Sequence, residues 1–221
     1  MAIKPILFNT EMVRANLDGR KTCTRRLVKP QPDEKHTYPL GFVTDSTEKK
    51  EVGCFGFGID EYGGSIQYEK PPYQPGDILY VRETVWQKTG HYLDVDGETK
   101  AVWCNEFKYV ATDEKPETGW NYSWVKRPSI HMPKEAARIW LKVTDVRVER
   151  LQDITNKGAE REGARPDYPF DYDVDKWPNL EHFKKIWNST IKKSDRDRYG
   201  WNANPWVWVI EFEQCEKPEE N

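Results

Sequence analysis

Apolar and polar positions alternate in short blocks along this chain. Pro5-Ile6-Leu7-Phe8 is a brief apolar run and predicts a first strand. Asn9 and Thr10 are good caps for a helix starting near Glu11. Met12, Val13 and Leu17 supply its apolar side, and Gly19 can end it in a left-handed conformation. Residues 31 to 74 carry no sustained period and predict an irregular insertion with one hairpin. The turn Tyr73-Gln74-Pro75-Gly76-Asp77 leads into a strand, Ile78-Leu79-Tyr80-Val81-Arg82-Glu83. Residues 87 to 120 are a second irregular excursion, with short strands expected at 101–103 and 109–111, and residues 124 to 133 are expected to be a loop. Residues 139 to 149 alternate well enough for a long strand. A helix is expected through Glu160 and Glu162, ending near Gly163. A loop is expected over 164 to 178, a second helix over 180 to 191 with Phe183, Ile186 and Trp187 on one side, and a strong strand over 205 to 212. Trp206 and Trp208 alternate with valine there, so both face the core. The charged tail from Glu216 is expected to fray.

Strand, helix, several strands, two helices and a last strand give no βαβ alternation, which argues against a doubly wound parallel sheet. The expected class is α+β, one domain over 1–221, with a small twisted β-barrel, flanking helices and two long insertions at about 31–72 and 87–125.

Composition sharpens this picture in three places. Ten Trp and eleven Tyr against 37% apolar residues predict a core built on large rings. A net charge of -3 argues against a general nucleic-acid scaffold, although a local basic patch is compatible with it. Cys23, Cys54, Cys104 and Cys215 are scattered with no CxxC pair, which fits reduced thiols better than disulfides or zinc. With no 18-residue apolar stretch and no signal-like start, a soluble, cytoplasmic protein is expected.

The densest chemistry lies in Gly19-Arg20-Lys21-Thr22-Cys23-Thr24-Arg25-Arg26, where four cations and two hydroxyls follow a helix end. Lysine and hydroxyl groups this close suit catalysis or anion binding. No GxGxxG, P-loop, HExxH or GxSxG occurs, and no metal-ligand set or cofactor motif is visible.

This run after a capped helix resembles the signature of the ASCH family, a branch of the PUA-like barrels. Tyr73-Gln74-Pro75-Gly76-Asp77-Ile78-Leu79 resembles that family's turn into a barrel strand. Leu151-Gln152-Asp153-Ile154-Thr155 with Ala159-Glu160-Arg161-Glu162-Gly163 resembles its "L-x-x-I-T … A-x-x-E-G" helix. Asn204-Pro205 through Phe212 resembles its closing strand. With its insertions, the chain is most similar to ASCH proteins of phages and prophages.

The resemblance implies the PUA-like barrel and a metal-free, cofactor-free amidohydrolase acting on an N4-acylated cytosine nucleoside, such as N4-acetylcytidine, or a similar small amide. Its catalytic set maps onto Lys21, Thr24 and Glu162, with Glu160 in place of Glu162 if the register slips. Thr24 is either a nucleophile activated by a neighbouring base or a hydrogen-bond donor. Lys21 could serve as that base if burial and Arg20, Arg25 or Arg26 lower its pKa, and Glu162 could relay a proton or activate water. Arg20, Arg26, Glu83 and His131 are candidate substrate contacts. Glu83 is equally a partner for Arg25 or Arg26 at the barrel mouth, and His131 stands in a loop of pocket-lining type. The pocket is expected between the 19–26 run and the 155–163 helix.

The alternative is a non-catalytic module that reads RNA or a modified base, which the aromatic richness and the basic run both suit. A third is a phage accessory protein docking a host protein through the insertions. The expected partner is therefore a small nucleoside or RNA, without a membrane.

Overall fold

The computed structural model describes residues 1–165 and 178–219. Its elements are β1 Ile3–Leu7, α1 Thr10–Leu17, β2 Cys23–Leu27, β3 Tyr38–Phe42, β4 Phe55–Gly58, β5 Ile66–Glu69, β6 Ile78–Arg82 and β7 Val85–Leu93. They continue with β8 Thr99–Tyr109, β9 Tyr122–Arg127, β10 Trp140–Arg150, α2 Asn156–Arg161, α3 Pro178–Thr190, α4 Arg196–Tyr199 and β11 Trp206–Cys215. This is a mixed α+β chain with three sheets. Most of the 164–178 loop, and the last two tail residues, lie outside the described residues.

Local chemistry sets the helix ends. The Asn9 side chain accepts a hydrogen bond from the Met12 amide at 2.8 Å, capping α1. Gly19 follows with φ +72°, a conformation costly for any residue with a Cβ. The buried side of α1 is Val13, Ala15 and Asn16; Val13 is buried as expected, while Met12 is half-buried and Leu17 exposed. Thr155 caps α2 by accepting from the Gly158 amide, and Gly163 with φ +87° follows its end.

The chain divides into two compact units, and neither is one contiguous stretch. The first takes Met1–Gly19, Ile78–Lys142 and the chain from Gln214. The second takes Arg20–Asp77 and Val143–Glu213. The strand β10 runs from the first into the second.

In the first unit, β1 pairs in parallel with β6, and the opening of β10 pairs antiparallel with β6, Trp140 opposite Tyr80. The strand β7 stands between β8 and β9, antiparallel to both. One side of this three-stranded sheet closes a small core of Val85, Met132 and Ala136, with Phe107, Tyr109 and Ala137 against it. The second expected insertion is therefore mostly an ordered sheet. The strand β8 is eleven residues long, and Val110 and Ala111 lie beyond its end. The expected 124–133 loop begins as strand β9. Its six residues, Tyr122–Arg127, give too short an alternation to stand out, and pairing with β7 holds them.

In the second unit, β11 pairs antiparallel with β2 and lies beside β10. One face of these strands contributes Val207 and Val209 to a core with Leu151, Ile154, Ala159, Phe183 and Trp187, packed by Leu27. This core is the helix-covered face. The opposite face carries Trp206 and Trp208. The Trp208 ring lies 6.2 Å from those of Phe42 and Phe55, and Trp206 lies 5.4 Å from Phe57. Those phenylalanines belong to the sheet β3-β4-β5. The first insertion thus holds three strands where one hairpin was expected. Glycine alternates with phenylalanine in β4, which weakens its strand signal while the rings supply its packing. As expected, both tryptophans face the core.

No closed barrel is formed among the described residues. The insertion strands pair with one another into separate three-stranded sheets instead of joining the ladder of β11 and β2.

Candidate functional site

Lys21 stands just before β2, with its ammonium fully enclosed. It donates to the Cys23 carbonyl at 2.8 Å, to the Glu162 carbonyl at 2.9 Å and to Glu162 Oε2 at 3.0 Å. These acceptors surround the ammonium, a group with three N–H donors. The other carboxylate oxygen of Glu162 accepts from Arg25 Nη1 at 3.2 Å, while Arg25 Nη2 reaches Glu149 at 2.9 Å. Arg25 Nε is buried without a hydrogen-bond partner.

The pairing continues along the helix-covered face. Arg147 donates to Glu149 at 2.7 Å and to Glu211 at 2.6 Å. Arg161 pairs with Glu211 at 2.8 Å, and its Nε donates to the Thr22 hydroxyl at 3.2 Å. The Thr22 amide in turn donates to the Arg161 carbonyl at 2.9 Å. Lys21, Arg25, Arg147 and Arg161 thus alternate with Glu162, Glu149 and Glu211, and each of these acids touches two cations. The hydrogen bond from Arg161, with that from Arg147, holds the Glu211 carboxyl below the usual range despite burial. The Cys23 thiol, beside this network, is pushed up to about 12 by burial and by the Glu162 charge, against the pull of Lys21, Arg25 and Arg161.

Strand alternation separates Thr24 from this cluster. Cys23 lies opposite Glu211 and Arg25 opposite Val209, so Cys23, Arg25 and Leu27 share the helix-covered face. Thr24 lies opposite Ile210 and Arg26 opposite Trp208, on the aromatic face. Lys21 and Thr24 are each 2% exposed and Glu162 is 4% exposed. The structure therefore brings Lys21 and Glu162 together and sets Thr24 on the other side of the strand. The 19–26 run and the end of α2 are in direct contact, with no space between Lys21 and Glu162 for a substrate. Glu160, the alternative to Glu162, makes neither the Lys21 nor the Arg25 bond. Arg20 donates to the Gly163 carbonyl at 3.4 Å.

Arg26 has a different setting. With Leu27, Lys29, Lys70, Pro72, Tyr73 and Trp208 it lines a cleft of about 260 Å³. Three cations and two aromatic rings meet there, and among the described residues no carboxylate lines it. Burial pushes the Tyr73 phenol up, while the Arg26 charge opposes the shift. Lys29, Lys70 and Tyr73 are not site candidates by sequence: the lysines stand outside the dense run, and Tyr73 reads there as part of the turn before β6.

Glu83 and His131 belong to the first unit. Glu83 is buried and held by Arg138 through both oxygens, at 2.8 and 3.0 Å, and not by Arg25 or Arg26. Arg138 also stacks on Tyr109, 3.9 Å from the ring centroid, and donates to the Thr112 hydroxyl at 3.0 Å. Arg138 stands two residues before β10 in a region with no motif, so this partner was invisible in the sequence. His131 is exposed at the end of a single 3₁₀ turn, Ser129–His131.

Comparison with protein-family models, with curated proteins and with solved structures gives no match.

Proposed function

We propose that this chain is a binding module for a nucleotide or an RNA base, and that the Arg26–Lys70–Tyr73–Trp208 cleft receives it. One observation carries this reading: the cleft gathers Arg26, Lys29 and Lys70 around two aromatic rings, while Lys21, Thr24 and Glu162 do not line it. Cations supply the phosphate contact and rings supply the base contact, the combination by which single-stranded nucleic acid is held. The volume is just below that of ordinary small-molecule pockets, which suits one base better than a folded ligand. The chain's net charge of -3 fits a short footprint of this kind.

The finer fold assignment, an ASCH domain of the PUA-like class, belongs to the same proposal. It is supported by the contact between Lys21 and Glu162, two motif residues 141 positions apart, and by the turn at Gly76, which takes φ +88° ahead of β6.

Titration with CMP, UMP and N4-acetylcytidine, followed by calorimetry, tests the reading. Wild type binds at least one of them, and Arg26→Ala and Lys70→Ala each weaken binding about tenfold, as loss of one charged contact predicts. Absence of binding by folded protein, or full affinity in Arg26→Ala, overturns it.

Hydrolysis of an N4-acyl cytosine is the second reading, favoured by the Lys21–Glu162 pair itself. Apo hydrogen bonds of a catalytic pair can rearrange on substrate binding. Its test is release of cytidine from N4-acetylcytidine by wild type and not by Thr24→Val, a variant that leaves the ion cluster intact. No release by the folded wild-type protein removes this reading.

A further inference from the structure

The sheet β8-β7-β9 carries a second assembly of rings and cations, in the first unit. Strand register aligns it. Trp86 of β7 lies opposite Lys108 of β8 on one side and Lys126 of β9 on the other. Two residues along, Lys88 lies opposite Trp124, and two further, Gly90 lies opposite Tyr122. Alternation puts all of these on one face, opposite to that of Val85, which closes the small core. The three rings therefore follow one another at steps of about 7 Å along the strands, two residues each. Each ring has a lysine against it: Lys126 Nζ lies 5.7 Å from the Trp86 centroid, Lys108 6.0 Å from that of Trp124, and Lys88 5.1 Å from that of Tyr122. Lys108 and Lys126 are exposed, and the three rings are half-buried. On this face Glu106 pairs with Lys88 at 2.9 Å, and beyond the rings Lys100, opposite Tyr92, pairs with Asp94.

We infer that this sheet face is a binding surface for single-stranded nucleic acid, on which successive bases stack against Trp86, Trp124 and Tyr122 while Lys108 and Lys126 neutralise the phosphates. The argument is one of complementarity. An exposed sheet can be kept soluble by charges alone, yet here each ring has a lysine over it, and the exposed Lys108 and Lys126 ammoniums are exchangeable for phosphate contacts. Lysine over a ring is a weak, surface-grade attraction, so it yields readily to a base. The face is locally cationic in a chain that is acidic overall, which favours an anionic partner, and the three rings favour one that carries bases over an acidic protein surface. Stacking platforms of this type tolerate any base and discriminate against duplex, whose bases are already stacked.

This surface is independent of the cleft proposed above, and the experiment keeps them apart. Fluorescein-labelled U12 and dT12 single strands and a blunt 12-base-pair duplex are titrated with the full chain at 50 mM and 200 mM salt, and CMP or UMP binding is measured in parallel as the report on the cleft. Wild type is expected to bind both single strands at least tenfold more tightly than duplex, with affinity falling steeply with salt. Trp124→Ala weakens U12 binding about tenfold and leaves mononucleotide binding unchanged. Lys108→Gln with Lys126→Gln weakens it and flattens the salt dependence, and guards against a misfolded tryptophan variant. Arg26→Ala has the converse pattern. No oligonucleotide binding at 50 mM salt, equal affinity for duplex, or unchanged U12 affinity in both the Trp124 and the lysine variants overturns the inference, whatever the mononucleotide result. A preference for U12 over dT12, or the reverse, identifies which single strand is the natural ligand.

Discussion

Lys21 holds Glu162 twice, through its backbone carbonyl at 2.9 Å and its carboxylate at 3.0 Å. A single ammonium thus pins both the end of α2 and the side chain that leaves it. Because Glu162 also meets Arg25, the clasp joins the helix to the β2 strand. Removing one partner of such a buried pair leaves an uncompensated charge, while the pair itself adds less. Lys21→Met is therefore expected to destabilise the chain by about 3 kcal/mol in urea unfolding, the low end for a buried pair because Arg25 still serves Glu162. The double variant Lys21→Met/Glu162→Gln is expected to lose less than the sum of the two single variants. Strict additivity would mean that the two residues do not act together.

The residue after Glu162 fixes how the clasp is presented. Gly163 has φ +87°, and its amide donates to the Glu160 carbonyl at 2.8 Å. An alanine there must adopt a left-handed conformation that costs it about 1–2 kcal/mol. Gly163→Ala is expected to lower the denaturation midpoint accordingly. An unchanged midpoint would show that the turn can relax without disturbing Lys21.

The nearness of Lys21 and Glu162 was implied by the motif resemblance alone; residue type and spacing marked only the two glycine-ended helices beside which they stand. The face of Thr24 was legible in principle from strand alternation, yet three motif residues invite a single site. Their separation follows only once β2 is known to begin at Cys23. The core side of Trp206 and Trp208 could be read because valine alternates with them over a long strand. The sheets within the two insertions could not, since β4 alternates glycine with phenylalanine and β9 spans six residues. The partner of Glu83, open in the sequence between a substrate and Arg25 or Arg26, was illegible for a related reason: Arg138 lies 55 positions away, and nothing local to either residue names the other.

The acid side of the ion network makes stability depend on pH. Glu211 has its carboxyl held below the usual range, chiefly by Arg161 and then by Arg147. Its folded pKa therefore lies below the unfolded value of about 4.3. The stability it contributes is complete above the unfolded value and is lost as pH falls through the folded one. Glu211→Gln is expected to be less stable than wild type at pH 7, with the difference shrinking between about pH 5 and pH 2. Urea unfolding at a series of pH values measures it, and a difference that stays constant over that range would exclude the linkage.

Thiol reactivity offers a probe of the same region that needs no mutation. Cys23 is buried, and its thiol is pushed up to about 12 by burial and by the Glu162 charge. At pH 8 it is a neutral thiol, and the thiolate is the form that reacts. Cys54 is buried as well, whereas Cys104 and Cys215 are half-exposed. Iodoacetamide at pH 8, with peptide mass spectrometry, is therefore expected to label Cys104 and Cys215 within the time in which Cys23 stays unmodified. In Glu162→Gln the charge that disfavours the Cys23 thiolate is gone, while Lys21, Arg25 and Arg161, which favour it, remain. Labelling of Cys23 should therefore accelerate in that variant, by more than that of Cys54, which reports general loosening of the second unit. Equal acceleration at both cysteines would assign the effect to unfolding and not to the Glu162 charge.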